Sequence, residues 1–402
     1  MITWTQQSLS AFVTLFSLFL LAACGGGGGG GTAGTTTATG VFKDANVSGV
    51  TYASGAQSGT TGTDGGFTYE VGQPVSFNLG GVTIGSATGK SVITPIDLVP
   101  GGASNTPEVV NIVRFLLMLD SDGDPSNGIT ISSGVQTIAD SWSAVDFSSV
   151  TLAADLTSII SDAVSADGGS HTLPDSTTAQ THLESTLLCV RAGGYTGTFS
   201  GDDTGPFGVL VDASTGLLSG FAFSTSDNEL LSLSGTAAVS LDQNATFITG
   251  DVSSGATFSG QFTGSDQISG SWNLSSTNES GTFSGNRVGG AAAATHRFTG
   301  SFNTNVGSPV ISYGLFTFDV DASDNVTGVA YTVYATDGTL GESAPFTGTL
   351  TGSALSAQIM DGSVVDATIT GTLNKAAGTV VGTWSDMDGN TGTFSGTGCR
   401  LN

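Results

Sequence analysis

The chain has 402 residues, 38% of them hydrophobic and only 10% charged, with Lys+Arg 8 against Asp+Glu 33 and a formal net charge of −25. A surface this negative repels phosphate backbones, which excludes nucleic acid as an expected partner, and it lacks the basic patches that hold proteins on anionic lipid. The length allows roughly two to four domains, and 61 glycines spread through alternating Thr/Ser-rich segments point to short strands and tight turns rather than disorder.

From Ala11 to Ala23 the chain is apolar except at Thr14 and Ser17. It then reads Leu21-Ala22-Ala23-Cys24, followed by seven glycines, Gly25 to Gly31. The run is too short to span a bilayer, which takes about 20 apolar residues, and it suits the apolar part of a signal peptide. Small residues before a cysteine at the end of such a run resemble the lipobox of bacterial lipoproteins. The resemblance implies that residues 1–24 act as a lipoprotein signal segment cut before Cys24. It also implies diacylglycerol on the Cys24 sulfur and a second acyl chain, such as palmitate, on the new amino group. Gly25 follows where members held at the inner membrane often carry Asp, so the resemblance implies the outer membrane. Two acyl chains anchor stably, since each buried CH₂ contributes ~0.8 kcal/mol. Residues 25–40 contain only Gly, Thr and Ala, a flexible linker with an end-to-end distance of roughly 20–24 Å.

Residues 41–100 alternate with period two, as in Val47-Ser48-Gly49-Val50-Thr51-Tyr52 and Val75-Ser76-Phe77-Asn78-Leu79. This pattern predicts strands, with a hairpin turn at Asp64-Gly65-Gly66. The order of turn, Thr63-Asp64-Gly65-Gly66-Phe67-Thr68-Tyr69 and next strand resembles small β-sandwich modules of the transthyretin or Cna-B kind, which implies a stalk or spacer.

Residues 101–190 read as a helical unit. Thr106-Pro107-Glu108 supplies an N-cap, a proline at the first position and an acid in the first turn. Val109, Ile112, Val113 and Leu116 follow at helical spacing. A second helix is expected to carry Leu152, Leu156, Ile159 and Ala163, and a third, from Asp175 or Ser176, to carry Ala179, Leu183 and Leu187. Three short helices make a thin core alone, so this unit is expected to pack on the sandwich.

The first helix runs into Asp120-Ser121-Asp122-Gly123-Asp124-Pro125-Ser126-Asn127-Gly128. Acids at alternate positions of a curled loop can point short oxygen ligands at one centre, as a hard cation requires. The loop resembles the calcium loops of dockerins and thrombospondin repeats, which implies calcium held by Asp120, Asp122, Asp124 and Asn127 in a structural role. It departs from an EF-hand, with Pro125 in place of the required Gly and Ile131 in place of the twelfth-position Glu. The plainer reading is an Asx-rich turn that closes the helix without an ion.

Residues 191–290 and 291–402 repeat one another. Val211-Asp212-Ala213-Ser214 matches Val320-Asp321-Ala322-Ser323, Gly270-Ser271-Trp272 matches Gly382-Thr383-Trp384, and Gly281-Thr282-Phe283-Ser284-Gly285 matches Gly392-Thr393-Phe394-Ser395-Gly396. Each copy reads as eight short strands, centred in the first on Phe199, Val209, Phe221, Leu231, Phe247, Phe258, Trp272 and Phe283. An up-and-down meander of this kind closes as a small antiparallel barrel, which removes exposed edges; a two-sheet sandwich is the alternative. The recurrent Gly-Thr-Phe-Ser-Gly is expected to turn Phe inward, with Gly relieving the crowding. Trp272 and Trp384 are expected in the barrel core rather than as platforms for a ligand. The pattern resembles the barrel lobes of surface lipoproteins such as the transferrin-binding and factor-H-binding proteins, and no binding residue is carried across.

With Cys24 lipidated, Cys189 and Cys399 remain, one before the first copy and one after the second. An oxidising compartment permits them to pair and close the duplicated region into a ring; the alternative is two separate buried thiols. No nucleophile elbow or phosphate loop is present, and the histidines His171, His182 and His296 are scattered. His182 is expected to pack or cap its helix. The expected protein is therefore mainly β with a small α part: a β-sandwich, a helical unit and two tandem eight-stranded barrels. Its expected role is recognition, adhesion or envelope structure, without catalysis, through an unknown protein or glycan partner. The alternative is a carrier of a small apolar ligand inside the barrels.

Overall fold

The computed structural model describes residues 35–237, 248–262, 267–288 and 294–401. Cys24, the signal segment and most of the linker lie outside the described residues. The first strand, β1 (Thr37–Phe42), begins inside the expected linker, because Thr37 to Gly40 pair with Glu70 to Phe67. The strands of the first module are β2 (Val47–Ser48), β3 (Thr51–Ser54), β4 (Gln57–Thr60), β5 (Gly66–Glu70), β6 (Pro74–Leu79), β7 (Val82–Thr88) and β8 (Val92–Ile93). All but β2 form two sheets, ordered β5-β1-β8 and β4-β3-β6-β7. On β6, Val75, Phe77 and Leu79 are buried and alternate with more exposed residues, so the period-two pattern places one face inward. Across the two sheets Phe42 stacks on Phe77 at 4.5 Å, and Phe67 meets Phe77 edge-on at 5.3 Å.

Helix α1 (Pro107–Met118) buries Val109, Ile112, Val113 and Leu116. Thr106 holds the N-cap position, but its hydroxyl accepts the Ala103 N–H at 2.9 Å and so closes the preceding turn instead of capping the helix. The short strand β9 (Ile129–Thr130) pairs in parallel with β2, which stitches the helical unit to the sandwich. Helix α2 (Ser133–Ala139), unforeseen in the sequence, is capped by Ser132 accepting the Val135 N–H at 3.2 Å. The expected second helix is two, α3 (Leu152–Asp155) and α4 (Thr157–Asp167), divided at Leu156 where φ is −88° and ψ is −1°. Helix α5 (Ser176–Arg191) starts from Asp175, which accepts the Thr178 N–H at 2.9 Å, and buries Ala179, Leu183 and Leu187.

Only Ala192 separates α5 from the first barrel. Its strands are β10 (Gly193–Gly201), β11 (Gly205–Val211), β12 (Leu217–Ser224), β13 (Glu229–Ala237), β14 (Ile248–Val252), β15 (Thr257–Phe262), β16 (Gln267–Leu274) and β17 (Glu279–Arg287). Of the eight expected strand centres, Phe247 lies outside the described residues; the other seven fall in these strands. The second barrel comprises β18 (Ala294–Thr304), β19 (Ser312–Asp321), β20 (Asn325–Ala335), β21 (Leu340–Thr351), β22 (Ala354–Asp361), β23 (Val364–Asn374), β24 (Thr379–Asp386) and β25 (Thr391–Arg400). Each closes as an antiparallel meander, β10 pairing with β17 and β18 with β25.

The two barrels pack through the outer faces of their first three strands. Phe221 of β12 lies 5.7 Å from Tyr313 of β19, Phe223 stacks on Tyr334 of β20 at 5.2 Å, and the Gly194 N–H donates to the Thr317 hydroxyl at 2.7 Å. Consequently Gly314 to Val320 of β19 are buried at every position, facing the barrel interior and the neighbouring barrel in turn. A sequence reading that allots one buried face to each strand does not capture this. The sulfurs of Cys189, in the last turn of α5, and Cys399, on β25, are bonded at 2.11 Å. Thr37 to the C-terminus thus belongs to a single compact unit. Among the described residues no helix is long and apolar enough to cross a membrane.

Candidate functional site

The interior of each barrel is organised by phenylalanine rings lying on glycines. Gly260 and Gly270 face one another across β15 and β16, and a Cβ on either would stand 2.7 or 2.5 Å from the tip of the Phe283 ring. In the second barrel Gly371 and Gly382 face one another across β23 and β24, beneath the ring of Phe394. The phenylalanine of the recurrent Gly-Thr-Phe-Ser-Gly therefore points inward as expected, and the space it fills is provided by glycines on two other strands.

Toward one end of each barrel this packing gives way to a cavity. The first is about 310 Å³ and the second about 400 Å³, the lower part of the ~300–1,000 Å³ range of small-molecule pockets. The open end is the one formed by the β10–β11, β12–β13, β14–β15 and β16–β17 hairpins and, in the second barrel, by the equivalent four. Both walls carry the same aromatic pair. Phe199 and Trp272 meet edge-on at 6.2 Å and 89°, and Phe302 and Trp384 at 6.1 Å and 84°. The tryptophans are half-buried and line the cavities, so they belong to the open end and not to the closed core expected for them. Trp272 Nε1 donates to the Ser200 carbonyl at 3.2 Å, whereas Trp384 Nε1 is buried without a hydrogen-bond acceptor.

The rims are acidic. Asp202, Asp203, Asp227, Glu229 and Glu279 stand around the first cavity, and Asp337, Glu342, Asp366, Asp386 and Asp388 around the second. Among the described residues lining either cavity there is no Lys, Arg or His. Burial works against ionisation of Asp203, but the hydroxyls of Ser226 and Ser224 outweigh it and hold the carboxyl below its ordinary range. Asp366 is pushed the other way, first by burial and then by the like charges of Asp386, Asp388 and Asp361. Sequence reasoning missed these residues because an acid at a hairpin turn reads first as a turn former. The placement of Asp227 and Glu279 in one copy and Asp337 and Asp388 in the other, on the second and fourth hairpins of both, was the available signal.

In the Asp-rich loop, Asp120 Oδ1 accepts the Thr130 N–H at 2.9 Å, Asp122 Oδ1 accepts the Asp124 N–H at 3.0 Å, and Asp124 Oδ1 accepts the Ser126 N–H at 3.1 Å. Asn127 turns its amide nitrogen to Asp122 Oδ2 at 2.8 Å. The loop is thus held by its own Asx turns, and among the described residues no three His, Cys, Asp or Glu side chains converge as a metal-ligand set. One observation fits a cation. Asp120 is buried, its Oδ2 has no hydrogen-bond partner, and burial followed by the Asp122 carboxylate pushes it up to about 6.

His182 lies on α5 with Nε2 3.4 Å from Oδ1 of the fully buried Asp44. His171 bridges the Met118 carbonyl at 2.9 Å and Asp167 at 2.8 Å.

No protein-family model and no curated protein matches this chain. Similar solved structures include a transferrin binding protein B from Haemophilus parasuis, at 11% identity, 48% of this chain, 52% of that chain and a TM-score of 0.19. They also include a protein described as a surface lipoprotein, at 10% identity, 52% and 99% coverage and a TM-score of 0.19. A kievitone hydratase from Nectria haematococca stands equally near, at 10% identity, 54% and 91% coverage and a TM-score of 0.19. The chain spans about half the length of the transferrin binding proteins it is similar to.

Proposed function

We propose that this protein is a lipid-anchored lipoprotein of the outer membrane with a non-catalytic role in recognition at the cell envelope. The anchor is Cys24, supported by the Leu21-Ala22-Ala23-Cys24 sequence behind an apolar leader. The observation that carries the recognition role is the repeated open barrel end, where each copy presents a cavity walled by the same Phe–Trp pair. The sandwich and helical unit serve as the stalk that lifts this pair from the membrane. Mass spectrometry of the mature protein tests the anchor: Cys24 should be the first residue and carry acyl mass, and an intact leader or a bare cysteine would overturn it. Pull-down of envelope proteins and glycans with the region from Thr37 onward tests recognition, with loss of capture expected when the open ends are altered.

A carrier role for small ligands is the second reading, and the two cavities favour it. Native mass spectrometry of material purified without detergent should then retain ligand mass. We further propose that Asp120, Asp122, Asp124 and Asn127 hold calcium as a structural ion, supported by the buried, unpartnered Asp120 oxygen.

A further inference from the structure

We propose that the open end of each barrel binds an amphipathic cation, a molecule with an apolar body and a protonated or quaternary amine head. The inference rests on reading the barrels as binding modules and adds the class of ligand they select.

The cavity walls define the apolar body. Phe207, Val209, Leu231, Ile268 and Phe283 face the first cavity, and Phe316, Phe346, Leu355, Ile369 and Phe394 the second. The rims define the head. Every ionisable side chain among the described residues lining either cavity is an acid, although Lys, Arg and His occur elsewhere in the chain. An anionic head would meet uncompensated negative charge at both mouths. Low-dielectric walls behind a ring of like charge focus the field into the cavity, which raises the local concentration of cations.

Duplication supplies an independent argument. The hairpins at the two open ends differ in length and sequence: Gly201-Asp202-Asp203-Thr204-Gly205 joins the first two strands of one barrel, and a longer loop from Thr304 to Ser312 joins those of the other. Acids nevertheless stand on the second and fourth hairpins of both, Asp227 and Glu279 in one and Asp337 and Asp388 in the other. The shared quantity is the sign of the charge above a shared aromatic wall. Trp272 and Trp384 complete the fit, since an indole face is the strongest side-chain partner for an organic cation. Asp366 agrees: burial first, and then the like charges of Asp386, Asp388 and Asp361, raise its carboxyl, so acids stand close together at this mouth.

Three probes with one body and three heads test this: 4-phenylbutyltrimethylammonium, 4-phenylbutyrate and 4-phenylbutanol. Each is titrated into the unit from Thr37 to the C-terminus, which is separately compact. Tryptophan fluorescence gives affinity and native mass spectrometry gives the number bound. The ammonium should bind at two sites per chain and about tenfold tighter than the alcohol at low salt, and its advantage should shrink as salt shortens the Debye length from ~30 Å at 0.01 M to ~8 Å at 0.15 M. Asp227→Asn with Glu229→Gln and Glu279→Gln, all at the mouth, should remove the preference at one site and spare the other; Asp337→Asn with Asp388→Asn should do the reverse. Equal affinity for all three probes would overturn cation selection and leave a binding role intact. Failure of all three to bind would overturn both.

Discussion

Asp44 offers a direct test of the packing beneath α5. Its side chain is fully buried, neither carboxylate oxygen has a hydrogen-bond partner, and the imidazole of His182 stands with Nε2 3.4 Å from Oδ1. Burial pushes the carboxyl from 3.8 up to about 6, and His182 pulls back only part of this. A carboxyl raised in the folded state is neutral in both states below 3.8, where it exacts no penalty. Between 3.8 and about 6 the unfolded chain gives up this proton while the folded chain keeps it, so stability falls across that window and levels off above about 6. At 1.36 kcal/mol per pKa unit the loss approaches about 3 kcal/mol. Asp44→Asn removes the charge and keeps the shape. Urea unfolding at pH 4 and pH 7.5 measures the difference: the variant should be close to the parent at pH 4 and more stable by up to about 3 kcal/mol at pH 7.5. The same gap between parent and variant at both pH values would refute the argument.

Other outcomes are equally specific. Calcium should raise the melting temperature, the rise should fade as pH falls below about 6 where Asp120 takes up a proton, and Asp122→Ala should abolish it in a calorimetric scan. Replacing Cys399 with Ser opens a bond that spans a sequence separation of 210, and chain entropy sets the loss at no more than about 5 kcal/mol; an unchanged denaturant midpoint would contradict this. Arg297 binds Asp319 through two hydrogen bonds at 2.9 and 3.0 Å, both side chains being buried. Arg297→Met alone should destabilise by about 3–5 kcal/mol, and adding Asp319→Leu should restore most of that, because an apolar pair replaces the charges without leaving one unpaired.

Much of the fold was legible because its signals are local. Period-two alternation marked the strands, Asp175 marked the start of α5, and the Gly-Thr-Phe-Ser-Gly recurrence marked an inward ring. What escaped depends on partners distant in sequence. Nothing around Leu217 to Ser224 shows that Phe221 and Phe223 face a second barrel, since an outward aromatic and an inward one look alike in a short apolar run. Helix α2 is two turns long with Gly134 in its first turn, too short for a periodic stripe. Leu156 fits the spacing of a continuous helix, and only its backbone angles reveal the break. The open ends were hidden for a different reason: a tryptophan with its pair of glycine-backed strands reads as core whether or not the barrel above it is filled.

The two copies therefore separate two kinds of constraint within one chain. Facing the interior they agree: Gly260, Gly270 and Phe283 correspond to Gly371, Gly382 and Phe394, and Phe199 with Trp272 to Phe302 with Trp384. Closure of a narrow barrel permits few other solutions, because an inward Cβ at any of these glycines displaces a ring and overpacking costs about 1–3 kcal/mol. Facing outward they differ, although the same three strands of each barrel form the contact. Gly208 on β11 leaves room for Leu315 and Val333 of the other barrel, whereas the stacked pairs join Phe221 and Phe223 to tyrosines. A face used by both copies is what two identical barrels would use to pair about a two-fold axis. Once the barrels are joined in one chain, each half of that face can take its own shape. Each cavity is lined, among the described residues, by its own barrel alone, so the contact joins the copies without merging their interiors.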